Sequence, residues 1–258
     1  MIDEAMYPIP GRVALVTAAS LGIGFACARA LARAGARVAI LSRDAERLAV
    51  AARQIAEACG RPVLAVPGDL TDPEAPFRAV SEVSRELGPV ELLVANVGGP
   101  PPGTFDALDE PAWREAIDSV LWPAVRLSRA VLPRMRNLRF GRVVHVLSLT
   151  ARQPLGGLTT SNALRPAVAG LIGDLARENA VHGITINAVC PGMTRTARIE
   201  ELAATPERVR ALEAMVPMGR LAAPEEIAAP VAFLCSEQAS YLTGAIIPVD
   251  GGVTARCL

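Results

Sequence analysis

From end to end, short apolar runs alternate with longer stretches in which apolar residues return every three or four positions. The runs at 13–16, 37–41, 63–66, 92–95, 143–147, 185–189 and 246–249 are rich in Val, Ile and Leu. Most are apolar at consecutive positions, which predicts seven strands covered on both faces. Residues 24–34, 45–59, 73–87, 111–136, 164–181 and 224–236 predict amphipathic helices, with Asp44, Asp72 and Glu110 at or near their starts as caps. Alternation of this kind builds βαβ units. The fold class expected is therefore α/β: a single doubly wound domain over residues 1–258, its seven-stranded parallel sheet carrying helices on both faces. The longest irregular segments, 98–103 and 192–219, both follow strand ends. Ligands of open α/β sheets bind outside those carboxyl ends, so the two segments are expected to rim a site.

Composition narrows the partners. Half of the 258 residues (51%) are hydrophobic, enough for a sizeable core, and the formal net charge of zero offers no field for nucleic acid. No apolar run reaches the length of about 18 residues that a membrane span needs, and the chain starts with Asp3 and Glu4 rather than a basic leader. A cytoplasmic protein with a small-molecule substrate, and no membrane or nucleic-acid partner, is expected. All 26 basic side chains are arginine. With no lysine, Schiff-base chemistry, pyridoxal phosphate attachment, a P-loop lysine and a tyrosine–lysine proton pair are excluded. Cys27, Cys59, Cys190, Cys235 and Cys257 form no CxxC pair and are odd in number, so reduced thiols are expected, and no metal site.

After the first strand comes Thr17-Ala18-Ala19-Ser20-Leu21-Gly22-Ile23-Gly24, then a helix and a second strand. Small residues there let a backbone approach a pyrophosphate at a helix N-terminus, the fingerprint of a dinucleotide site. Where an acid would hold the ribose 2′-hydroxyl of NAD, the second strand ends in Ser42-Arg43, which favours NADP(H) over NAD(H). Asp69 and Asn96, after the third and fourth strands, fall at the same sheet edge.

With these motifs in order, the chain from Gly11 to about Val253 resembles the short-chain dehydrogenase/reductase family, close to the 3-oxoacyl-acyl carrier protein reductases. The matching segments are Thr17 to Gly24, Asp69-Leu70, Asn96-Val97-Gly98 after Ala95, Ser148, Pro191-Gly192 with Thr194 and Thr196, and Gly219-Arg220 through Gly251-Gly252. The resemblance implies a Rossmann-type fold, a nicotinamide cofactor, carbonyl or alcohol substrates and a homotetramer. It also implies cofactor contacts from Ala18, Ser20, Leu21, Gly22, Ile23, Gly24, Ser42, Arg43, Asp69, Leu70, Asn96, Val97, Gly98, Arg165, Pro191, Gly192, Thr194 and Thr196. Ala18 stands where the family has its first glycine. In the positions of the family's catalytic Asn, Ser, Tyr and Lys the chain carries Val120, Ser148, Ser161 and Arg165.

These departures bear on proton transfer. A tyrosine has a free pKa near ~10, whereas an aliphatic hydroxyl near the ~15.7 of water lies roughly 6 units higher, a penalty of order 8 kcal/mol for full transfer. Arg165 stays charged and relays no proton, though it suits ribose hydroxyls and a developing oxyanion. The histidines and tyrosines offer no evident replacement. Three residues before Ser148 in the fifth strand, His145 is expected on the opposite face; His182 enters the sixth strand; Tyr7 precedes the fold and Tyr241 lies in the tail. Three readings follow: an atypical carbonyl reductase using Ser148, Ser161 and Arg165, a non-redox elimination or isomerisation, and a silent cofactor-binding subunit. Arg152, Gln153, Met193, Arg195, Arg198, Met215 and Met218 suggest a partly apolar substrate with an anionic group, or solvated arginines and packed methionines.

Overall fold

The computed structural model describes residues 7–197, 199, 203 and 205–254, so Asp3, Glu4, Arg198 and Cys257 lie outside the described residues. Seven strands form one parallel sheet: β1 (Val13–Thr17), β2 (Arg37–Ser42), β3 (Leu64–Pro67), β4 (Leu92–Asn96), β5 (Gly141–Val146), β6 (Ile184–Pro191) and β7 (Ile246–Val249). Their order is β3-β2-β1-β4-β5-β6-β7. The direction of winding reverses between β1 and β4, which opens a crevice at the strand carboxyl ends.

Successive strand residues point to opposite faces, and the core divides accordingly. Val16, Ile40, Val94 and Val189 pack with Leu31 of α1 (Gly22–Arg33), Leu48 and Ile55 of α2 (Ala45–Cys59) and Ile227. Leu15, Leu41, Leu93 and Ile186 pack on the other face. Their partners there are Val83 of α3 (Ala75–Glu86), Leu127 of α4 (Glu110–Leu138) and Ile172 of α5 (Thr159–Asn179). Ile227 belongs to the last helix, α7 (Pro224–Cys235), which follows α6 (Pro206–Ala214).

Capping fixes the helix starts. The Asp44 side chain accepts from Arg47 N at the start of α2, as predicted. Asp109, one residue before the expected Glu110, caps α4 by accepting from Ala112 N. Asp72 sits just outside α3, accepting from Glu74 N and pairing with Arg78. Two expectations are corrected. Helix α5 begins at Thr159, five residues before the predicted start, and passes straight through Pro166. The segment 192–219 is not wholly irregular, because Thr205 caps α6 within it.

Candidate active site

The turn after β1 is shaped by two small residues. Ala18 has a φ of +47°, the left-handed region where glycine is at ease and alanine is strained. A Cβ on Gly24 would lie 2.3 Å from the Ala18 carbonyl oxygen, so helix and turn close on each other only because that atom is absent. Asn96 holds the arrangement: its Nδ2 donates to Ala18 O at 3.2 Å, its N–H donates to Thr17 Oγ1, and Thr17 Oγ1 donates to Asn96 O at 2.6 Å. Leu21, the N-cap of α1, supplies no side-chain cap, and no acid occupies the first turn. The uncapped start of α1 adjoins a groove of about 350 Å³ that Ser20 and Leu21 help to line.

That groove is lined by Ala18, Ser20, Leu21, Ser42, Arg43, Asp69, Leu70, Val97 and Gly98, nine of the residues expected there. Ser42 Oγ donates to Ser20 Oγ at 3.0 Å and ties the end of β2 to the turn. Asp69 Oδ1 accepts from Thr71 N and Oγ1, which shapes its loop. Glu115 and Ser119 of α4 join the lining, as do Gly68, Thr71 and Gly99; nothing in the local sequence marks the α4 pair, since only the packing of α4 brings them to the groove. Thr196 also reaches the turn, with its Cγ2 3.2 Å from where a Gly22 Cβ would lie. Pro191, Gly192 and Thr194 do not line the groove. Gly192 packs on Asp250, whose Cα lies 2.7 Å from a would-be Cβ, and Thr194 Oγ1 donates to Gly192 O. An uncapped helix end, a glycine cradle and an arginine at the far rim fit a phosphate-bearing dinucleotide.

Ser148, Ser161 and Arg165 converge beside this groove. Ser148 Oγ accepts from Thr150 N at 3.2 Å, and Thr150 Oγ1 lies 2.9 Å from Ser161 Oγ, so Thr150 couples the two serines. The sequence pattern did not single out Thr150, because only the short 3₁₀ turn Leu149–Ala151 carries its hydroxyl to α5. Arg165, one helical turn after Ser161, is 4% exposed. Its Nη1 donates to Val146 O at 3.1 Å and its Nη2 to Gly98 O at 3.4 Å, so a permanent cation bridges the end of β5 and the groove wall. Cys190 lies underneath: burial pushes its thiol up to about 11, opposed by a hydrogen bond from the Ser148 backbone and by Arg152 and Arg165, and it stays protonated at neutral pH.

His145 lies on the α4–α5 side of the sheet. Leu147 lies in the core on that same side, and Ser148 beyond it is still extended, so the alternation runs on past the end of β5. His145 is 2% exposed and lines a small cavity with Val120, Val97 and Arg165. Burial drops its pKa to about 4, and the ring is neutral. His182 closes a 3₁₀ turn at the amino end of β6, the Tyr7 ring packs tilted against Phe233 with centroids 5.1 Å apart, and Tyr241 is fully exposed; none of them lines the groove. On the rim, Arg195 pairs with Glu213 at 3.6 Å, Arg152 donates to Ile246 O, and Met215 and Met218 are exposed. Cys27, Cys59, Cys190 and Cys235 form no disulfide among the described residues, and no described helix is long and apolar enough to cross a membrane.

A parallel sheet with its crevice at the winding reversal, a glycine turn and an uncapped helix end define a dinucleotide-binding α/β protein. Residues 17–254 match the family described as Enoyl-(Acyl carrier protein) reductase. The chain belongs to the short-chain dehydrogenase/reductase family, whose members are NAD(P)-dependent oxidoreductases. It is 35% identical over 243 residues to the 3-oxoacyl-(acyl-carrier-protein) reductase of Escherichia coli (strain K12), covering 94% of this chain and 97% of that protein. Identity to the cis-4-hydroxycyclohexanecarboxylate dehydrogenase of Sinomonas cyclohexanicum is 38% over 246 residues, covering 95% and 97%. The crystal structure of L-sorbose reductase from Gluconobacter frateurii, complexed with NADPH and L-sorbose, superposes with a TM-score of 0.91 at 32% identity, covering 97% of this chain and 99% of that one.

Proposed function

We propose that this protein is an NADP(H)-dependent reductase of an activated carbonyl in which Ser148, Ser161 and Arg165 form the catalytic set and no tyrosine–lysine pair takes part. The observation that carries the proposal is Arg165: a buried guanidinium held by Val146 O and Gly98 O places fixed positive charge between the groove and the strand leading to Ser148. When bound, the nicotinamide dinucleotide supplies the hydride. The chain's own residues then manage charge. Ser148 donates a hydrogen bond to the substrate oxygen, Arg165 holds ribose hydroxyls and stabilises negative charge developing on that oxygen, and Ser161 is kept in place by Thr150. The proton comes from water, because neither hydroxyl is acidic enough to give it up. Such a site suits carbonyls already polarised by a neighbouring group, such as diketones and 3-oxoacyl thioesters.

Preference for NADP(H) over NAD(H) rests on Arg43 at the groove rim beside Ser42, where a 2′-phosphate would meet a guanidinium. The structural likeness to an NADPH-bound reductase supports it. The functional unit is a cytoplasmic homotetramer in which residues 1–258 of each subunit form one domain.

The test is NADPH titration by fluorescence followed by stopped-flow oxidation against diketones and 3-oxoacyl thioesters. Binding with oxidation is expected; binding without it sinks the reductase assignment and leaves a non-redox enzyme or a cofactor-binding subunit. The Arg43→Ala variant should weaken NADPH about tenfold or more, the loss of a charge-assisted contact, while leaving NADH nearly unchanged. Joint Val120→Asn, Ser161→Tyr and Arg165→Lys replacement should raise the oxidation rate by about 100-fold or more, the usual worth of a placed general acid. A folded triple variant with no gain would locate the barrier elsewhere.

A further inference from the structure

The cavity beneath Arg165 has about 10 Å³ of free volume, the room one water molecule needs. Its walls are mostly apolar: Ala95, Val97, Val120, Ala124 and Val168 contribute side chains, and an all-apolar hole of this kind would stay dry. Two polar groups break the pattern. His145 Nε2 is buried with no hydrogen-bond partner among the described residues, and Arg165 lines the same cavity. An imidazole nitrogen left unbonded in the interior is costly, because burial strips it of water and returns nothing.

We propose that this cavity holds one ordered water molecule that accepts an N–H of Arg165 and donates to His145 Nε2, making His145 a positioning residue for the catalytic guanidinium. The donors and acceptors match without any proton changing hands. A guanidinium only donates, a neutral imidazole accepts at the nitrogen that carries no hydrogen, and water does both. The arrangement assigns His145 the Nδ1–H tautomer. Val120 matters here through its size, since it closes the cavity to a single water without offering it a bond.

The inference rests on the proposed role of Arg165, and its test separates the two. A crystal structure at a resolution that orders water should show a peak within hydrogen-bond distance of both His145 Nε2 and the Arg165 guanidinium, and ¹⁵N spectra of the ring should report the Nδ1–H tautomer. A dry cavity, or the Nε2–H tautomer, overturns the inference. In solution His145→Leu should weaken NADPH binding about tenfold, as expected for losing a hydrogen bond to a charged group, and His145→Gln, which can still bond the water, should restore it to within about twofold of the original. Equal affinity in all three proteins would overturn the positioning role. A parent protein that binds no NADPH would sink the proposed function, while the water peak and the tautomer would still decide this inference.

Discussion

Ala18 concentrates what one residue does to the site. Its left-handed φ of +47° costs an alanine roughly 1–2 kcal/mol that a glycine would avoid. Asn96 Nδ2 fastened to its carbonyl helps keep it there. Glycine loses more entropy on folding, so Ala18→Gly should give a net gain of only about 1 kcal/mol, seen as a thermal midpoint raised by about 2–4 °C. Gly24→Ala should do the reverse. Its methyl would run into the Ala18 carbonyl, and NADPH binding should be lost even where the fold survives. The sequence displayed alanine in place of a glycine, but the strain becomes visible only with the backbone angle. Thr150 illustrates the same limit, because a hydroxyl two positions after Ser148 has no spacing signature until a 3₁₀ turn aims it at Ser161.

Elements were legible where they carry an apolar stripe. All seven strands fall within two residues of their expected bounds, because buried parallel strands are continuous runs of Val, Ile and Leu. Helix α6 escaped detection for the opposite reason: it buries none of its residues, although Thr205, Pro206 and Glu207 form a regular helix-start signal. The start of α5 lies five residues ahead of the expected position, and the helix holds Pro166 at its eighth position. That tolerance has a price the packing absorbs, since Pro166 cannot donate to Asn162 O. Pro166→Ala should therefore stabilise the protein by about 2 kcal/mol, the restored bond being partly offset by a looser unfolded chain, and denaturant unfolding would measure it. A loss of stability would mean that the proline's ring packing outweighs the missing bond.

Across the whole molecule, the winding reversal between β1 and β4 brings the glycine turn, Arg43 and Arg165 to one edge, and strand order was predictable only as a consequence of the family resemblance. What long-range packing adds is the setting of His145, closed in by α4 and α5 beside Arg165. That setting makes a histidine in the middle of the sheet report on the stability of the entire fold. Burial lowers its folded pKa from 6.5 to about 4, so between these values the unfolded chain takes up a proton that the folded chain refuses. Stability from this group is complete above about pH 7, declines as pH falls through 6.5 and is lost by about pH 4, amounting to about 3 kcal/mol in total. Asp72 and Glu226, whose carboxyls are held low by hydrogen bonds from Arg78 and Arg220, also lose their contributions on acidification, below the window that His145 governs. Comparing urea unfolding of the parent and His145→Leu from pH 7.5 to 4.5 isolates the histidine: the parent should lose stability across that range, and the variant should show a markedly shallower slope. Parallel slopes would mean that the ring is protonated in the native state far more readily than its burial implies.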